Sequence, residues 1–209
     1  MNPTEKLQEL FLKFPGIGPK QAARFVYFLL RQNEGYKIDL AKNIEMLKDS
    51  SHVCESCLRI FSKSKNKEKK LCSICEDESR DEKSLMIVVK ELDIDAIEKT
   101  GFYNGKYFVL GSVLPFLTEK PTEILNIREL VNLIHTNLQN GEKSISEVVF
   151  ALPATDEGEN TINYLKKTLS QVVGIENLKM STLARGLSTG LDIEYVDKNT
   201  FKEAFNHRE

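Results

Sequence analysis

"EVVFALPATDEGENTINYLKKTLSQVV", residues 147–173, joins an apolar run of strand length to a longer segment of helical pattern. A strand that feeds a helix in this way is half of a βαβ unit, and it favours a largely parallel sheet. Between the two stand three carboxylates around one glycine: Asp156, Glu157 and Glu159 flanking Gly158. Acids at the end of a buried strand hold Mg²⁺ in many enzymes. Acids in the first turn of a helix also complement its positive end, and Asp156 with Glu159 three residues on fits a capping box. The rest of the chain has to decide between a metal site and a helix start.

Working outward, "LMIVV" (85–89), "KYFVL" (106–110) and "LKMSTLA" (178–184) are the other strand candidates. "IDAIEKT" (94–100) and "IRELVNLIHTNL" (127–138) are the helices between them, so strand and helix alternate through the second part of the chain. The tail "DIEYVDKNTFKEAF" (192–205) reads as a last strand and a short helix. The first part is helical throughout. "TEKLQELFLKF" (4–14) places Leu7, Leu10, Phe11 and Phe14 at helical spacing behind Thr4 as N-cap. "KQAARFVYFLLRQ" (20–32) and "IDLAKNIEMLKDS" (38–50), with Asp39 near its start, follow.

Apolar runs such as "FVYFLL" and "MIVV" are too short to cross a bilayer, and "MNPTEKLQEL" lacks the apolar core of a signal peptide. A cytoplasmic protein with no membrane contact is the expectation. Charge is unevenly spread: residues 1–75 carry 14 Lys/Arg against 8 Asp/Glu, and the remainder 15 against 23. A polyanion partner is therefore expected for the first part only.

All four cysteines fall in "CESCLRIFSKSKNKEKKLCSIC": Cys54, Cys57, Cys72 and Cys75. Two C-x-x-C pairs predict one tetrahedral Zn²⁺ per chain. Four protein thiolates leave no open position, so that ion is structural. His52 is surplus to such a site, and His135 and His207 stand apart from any nucleophile motif. The "KSKNKEKK" loop (63–70) between the pairs reads as a solvated loop, with phosphate contact as the other possibility.

"FPGIGPKQAARF" (14–25) sets two glycines around one apolar residue between two helices, with Pro19 at a natural first helical position. One reading is a tight turn with Ile17 packed inward. The other is a phosphate contact: glycines let backbone N–H groups approach a phosphate, the second helix adds its N-terminus, and Lys20 and Arg24 add charge one turn apart. No P-loop or dinucleotide fingerprint is present.

The stretch "FPGIGPKQAAR" resembles the helix-hairpin-helix DNA-binding motif. Its order with the paired C-x-x-C, "AIEKTG", "GKYFVL", "EGENT" and the "ARGL…G…EYVD…T" tail is similar to the bacterial RecR family of recombination mediators, from about Leu7 to the C-terminus. The resemblance implies an α+β multidomain chain: a helical helix-hairpin-helix domain over 1–52, a zinc knuckle over 53–80 and a Toprim α/β domain over 81–175. A tail over 176–209 follows, with a Walker-B-like strand ending at Asp197 and a helix making an oligomer contact. It further implies a ring-like homotetramer, RecO-like and RecF-like partners, and recombinational DNA repair without an enzymatic step. Gly16, Gly18, Lys20 and Arg24 would then face the DNA backbone.

Catalytic Toprim domains pair a glutamate after the first strand with two aspartates after a later one. Here the aspartate positions fall on Pro153 and Thr155, and either Lys90 or Glu91 takes the glutamate position. Glu91, Asp156, Glu157 and Glu159 thus form a vestigial site or a partner contact, and no residue is assigned a catalytic role. The stretch "GSVLPFLTEKP" and the pair Gly190-Leu191 also depart from the family pattern. The alternatives are a Mg²⁺-dependent Toprim phosphoryl transferase, nuclease or topoisomerase-like, and an adaptor whose hairpin never meets DNA.

Overall fold

The computed structural model describes residues 2–62, 69–118, 120–138, 145–172, 178–184, 186–187 and 189–206. Most of the "KSKNKEKK" loop, Val173, Arg185 of "ARGL" and His207 lie outside them, and the helix expected to reach Val173 ends at Leu169 with Ser170 as its C-cap. The chain divides into two compact units, Met1–Ser51 and His52–Glu209.

The first unit is three helices, α1 (Pro3–Phe11), α2 (Pro19–Arg31) and α3 (Glu34–Ser50). Asn2, not Thr4, caps α1: its side chain accepts from the Thr4 amide at 3.1 Å, and Glu5 reaches back to the Asn2 amide at 3.4 Å. Pro3 then takes the first helical position, which needs no N–H. The third helix begins at Glu34, ahead of the expected Ile38, because the Asn33 side chain accepts from the Tyr36 amide at 2.8 Å. That cap offsets Gly35, whose cost within a helix is only about 1 kcal/mol. Within this unit Ala22 and Val26 are buried, while Leu10, Phe14, Tyr27, Phe28, Leu30, Ile44 and Met46 are exposed.

From Ser51, at the boundary of the units, the chain forms a two-stranded hairpin, β1 (Ser51–Val53) and β2 (Ile60–Ser62), and then a single helical turn, α4 (Ser73–Glu76). A four-stranded sheet follows, built from β3 (Asp81–Val88), β4 (Gly105–Val109), β5 (Glu147–Ala151) and β6 (Lys179–Thr182). Its order is β4-β3-β5-β6 and every pairing is parallel. The register sets Val88 beside both Val109 and Ala151, so the carboxyl ends of the three strands lie level. Helices α5 (Glu91–Thr100), α6 (Pro121–Ile124), α7 (Ile127–Leu138) and α8 (Asp156–Leu169) connect the strands.

Strand alternation divides the core into two layers. Leu85, Ile87, Phe108, Val148 and Phe150 pack with Ile127, Leu130 and Ile134 of α7 and Leu165 and Leu169 of α8. Met86, Val88, Tyr107 and Val109 face the other way, against Ile94 of α5 and against Cys54, Cys57, Cys72 and Ile74. The cysteine-bearing segment therefore covers one face of the sheet together with α5. A parallel sheet needs both faces covered, which explains why "LMIV" of β3 is buried throughout.

The tail differs from the expected last strand. Ile193–Tyr195 is a turn of 3₁₀ helix, followed by α9 (Lys198–Asn206). Strands exist through their neighbours, and among the described residues none pairs with this segment. Asp197 is the cap of α9: its carboxylate accepts from the Thr200 amide at 3.0 Å and its carbonyl from the Phe201 amide at 3.0 Å.

Candidate nucleic-acid interface and metal centre

The hairpin of the first unit is built by its aromatic residues. Phe11 meets Phe14 at 5.7 Å and Phe25 at 5.5 Å, both edge to face, which ties the turn to both helices. The chain reverses through Gly16 at φ +75°, a left-handed conformation that costs an L residue with a Cβ. Gly18 caps α2 in an extended conformation, and its amide donates to the Gln21 side chain at 3.4 Å. The first helical bond runs from the Ala22 amide to the Gly18 carbonyl at 3.0 Å. Ahead of it the amides of Lys20 and Gln21 belong to the open N-terminal turn. Lys20 and Arg24 are exposed, and Ile17 is half-buried, so the packed turn and the open N-terminus coexist. Gln21 was not singled out by the sequence reading; its position three residues after the cap is the signal that marks it.

The four cysteines come together as expected. Their Sγ atoms lie within 4.8 Å of one another, with Cys54, Cys57 and Cys72 buried and Cys75 half-buried. Cys57 Sγ is 3.7 Å from Cys72 Sγ. Tetrahedral zinc with Zn–S bonds of about 2.3 Å requires sulfur–sulfur edges of about 3.8 Å, so the donor set fits that ion. The Cys57 thiol sits against the Cys54 sulfur, which pulls Cys54 well below the ordinary thiol range and pushes Cys57 above it. The amide of Cys72 donates to Cys54 Sγ at 3.4 Å. The His52 ring lies tilted against Phe61 at 6.1 Å and stands outside the sulfur cluster; its Nε2 is buried with no hydrogen-bond partner among the described residues.

Several bonds join this centre to the sheet. The Val109 amide of β4 donates to the Cys57 carbonyl at 2.9 Å, closing the outer edge of the sheet. Lys106 Nζ donates to the carbonyls of Ile74, Cys75 and Asp77 at 3.0, 3.1 and 2.7 Å. Arg59 pairs with Asp95 of α5. Arg80 pairs with Glu98, and the Tyr107 hydroxyl donates to the same carboxylate at 2.6 Å. Arg80 holds the Glu98 carboxyl below the ordinary carboxylate range. None of these joints is legible in the sequence, because each links residues at least nine positions apart with no shared period.

At the carboxyl edge of the sheet, Lys90 caps α5 and Glu91 is its first residue. The Glu91 carboxylate accepts from the Ile60 amide at 3.3 Å, a contact with the hairpin of the cysteine segment. The α8 start also differs from the expected capping box. Thr155, not Asp156, is the N-cap, its hydroxyl accepting from the Gly158 amide at 3.2 Å. Asp156, Glu157 and Glu159 are exposed in the first turn. Gly158 is required for a different reason: a Cβ there would lie 1.9 Å from the Pro153 carbonyl oxygen. Among the described residues only the four cysteines form a group able to share a metal ion; Glu91, Asp156, Glu157 and Glu159 do not.

Comparison with known proteins agrees with this architecture. Residues 83–184 match the Toprim domain, and residues 4–47 match the family described as "RecR, helix-hairpin-helix". The recombination protein RecR of Phytoplasma mali is 35% identical over 205 residues, 98% of this chain and 93% of that one. The chain belongs to the RecR family. The RecR proteins of Lacticaseibacillus casei and Bdellovibrio bacteriovorus align at 33% and 35% identity, over 99% and 98% of this chain and 96% and 95% of theirs. As a RecR family member the chain is a recombination protein of DNA repair, with a helix-hairpin-helix, a four-cysteine metal centre and a Toprim sheet. No described helix is long and apolar enough to cross a membrane.

Proposed function

We propose that this RecR family member is a non-enzymatic DNA-binding scaffold of the bacterial cytoplasm and nucleoid. It works with RecO-like and RecF-like partners to load recombinase on gapped DNA. The observation that carries DNA contact is the open N-terminus of α2, where unbonded amides, Gly16 and Gly18 stand beside exposed Lys20 and Arg24. Such a contact reads the backbone and not the bases, so binding is salt-dependent and nearly independent of sequence.

The four cysteines hold one structural Zn²⁺ per chain. Sulfur spacing supports that metal, and four thiolates leave no site for substrate. Assembly into a tetrameric ring has its own support. The first unit exposes Phe28, Tyr36, Ile44 and Met46, and the tail exposes Ile193, Tyr195, Phe201 and Phe205. Two separate apolar surfaces on one chain, each paired with itself, suffice to close a ring. Ring closure multiplies weak phosphate contacts through effective concentration. The exposed acids Asp156, Glu157 and Glu159 serve a partner of basic surface.

The test is DNA affinity as a function of salt for wild type and Lys20→Glu/Arg24→Glu, with oligomer mass checked in parallel. Loss of two phosphate contacts lowers the slope of log K against log salt by about 1.4 on single strands. Unchanged affinity and slope at unchanged mass would remove the hairpin from the DNA interface.

A further inference from the structure

We propose that Lys106 is the positioning residue of the metal centre, locking the turn that carries Cys75 and supplying positive charge beneath the thiolates. This rests on the four cysteines holding zinc. Cys75 is half-buried and the least covered ligand of the set, the other three being buried. It also lines a cavity of about 340 Å³ whose wall includes Ser56, Glu82, Tyr107 and Lys106. Entry of solvent, a chelator or an electrophile to the sulfurs is therefore through Cys75.

The turn that carries Cys75 is short. α4 spans Ser73–Glu76, and the Glu76 amide bonds the Cys72 carbonyl at 3.0 Å. A helix of one turn has little stability of its own and leaves its last carbonyls open. Lys106 satisfies them: its ammonium has three donors, and all three are spent on the carbonyls of Ile74, Cys75 and Asp77. Because Lys106 is part of β4, the hold is anchored in the sheet and not in the loop itself.

The charge acts in the same direction. Four thiolates exceed the charge of a divalent ion, so the loaded centre is anionic. Among the described residues of the segment, Arg59 is paired with Asp95, Lys69 with Glu76 and Lys70 with Glu55. Lys106 is bonded to the carbonyls of the turn that carries Cys75, so its charge lies beside that ligand and is shared with the nearby Asp77 carboxylate. Partners of metal ligands commonly change metal affinity about 10–100-fold when lost.

The experiment is zinc release from the full-length, zinc-loaded protein to excess pyridylazoresorcinol, a chelator whose zinc complex is read by its colour. Wild type is compared with Lys106→Met, which keeps the apolar stem, and Lys106→Arg, which keeps charge and donors. Release from Lys106→Met is expected to be at least about ten-fold faster, with Lys106→Arg restoring most of the difference. During release, alkylation mapped by mass spectrometry should mark Cys75 before the other three thiols. Equal rates for wild type and Lys106→Met overturn the role of Lys106 while leaving the zinc site standing. Simultaneous alkylation of all four thiols overturns it as well, since general unfolding then explains release. Wild type purified without zinc overturns the zinc reading itself, and the proposal with it. Should Lys106→Met fail to fold, Lys106→Gln, which keeps donors without charge, replaces it under the same two criteria.

Discussion

The two units of the chain hold themselves together in opposite ways. Residues 52–209 bury two apolar layers on a parallel sheet, and the metal segment is one wall of the second layer. Among the described residues of 1–51 only Ala22 and Val26 are buried, and the unit is shaped by caps, an aromatic turn and helix-helix contact. A unit of that size with so little buried surface is marginal without a partner. The difference teaches where stability and where binding reside: the first unit leaves its groups available, the second uses them.

Four substitutions break or sharpen that contrast, from the largest expected effect to the smallest. Cys57→Ser should abolish zinc binding and cost the second unit on the order of 5 kcal/mol or more, because the sulfur site is also core. Metal analysis with denaturant unfolding checks it; a second unit of native stability without zinc would make the knuckle an appendage. Gly158→Ala should cost about 3 kcal/mol, since its Cβ meets backbone at 1.9 Å and only movement of α8 or the Pro153 peptide relieves the clash. The shift in urea midpoint reads it.

Glu98→Gln should cost about 1 kcal/mol at neutral pH. Arg80 keeps the Glu98 carboxyl below its ordinary value of 4.5 in the folded state, so the unfolded chain takes up the proton first. The stabilisation is complete above that value and is lost as pH falls through the depressed folded value. Stability curves of wild type and Glu98→Gln should therefore converge below about pH 4.5; curves that stay parallel would remove the ion pair from the ledger. Gly18→Ala should cost only about 0.5 kcal/mol as a poorer N-cap, since a Cβ there meets nothing nearer than 3.5 Å. Weaker DNA binding at nearly unchanged stability would mark Gly18 as a residue of approach; a large drop in melting temperature would return it to the fold.

Much of this was legible in the linear chain. The strand cores at 85–88, 106–109, 147–151 and 179–182 fall inside runs that periodicity and composition mark as strands. The cysteine pairs converge because their spacing brings two chelating turns face to face. Helix starts were less legible: Asn2 and Thr155 cap where Thr4 and Asp156 were expected, and the third helix, capped by Asn33, begins ahead of the expected Ile38. Which of two neighbouring polar residues caps a helix depends on the backbone angle of entry, not on residue type alone. The tail strand failed because Ile193 and Tyr195 carry strand-like residues with no neighbour to pair with among the described residues.

The sequence by itself determined the order of parts, the family, the metal donors and the acids that open α8. Only the tertiary structure decided what those parts are for one another. It spends Glu91 on the Ile60 amide, Thr155 on the α8 cap and Gly158 on a close approach to Pro153. It also makes the metal segment a layer of the sheet, with Lys106 as its pin. The physical reason is range. Period, composition and ligand spacing survive in a linear reading. The Glu91 and Lys106 contacts arise only when distant segments are brought together, and the Thr155 cap and Gly158 approach depend on the backbone path into α8.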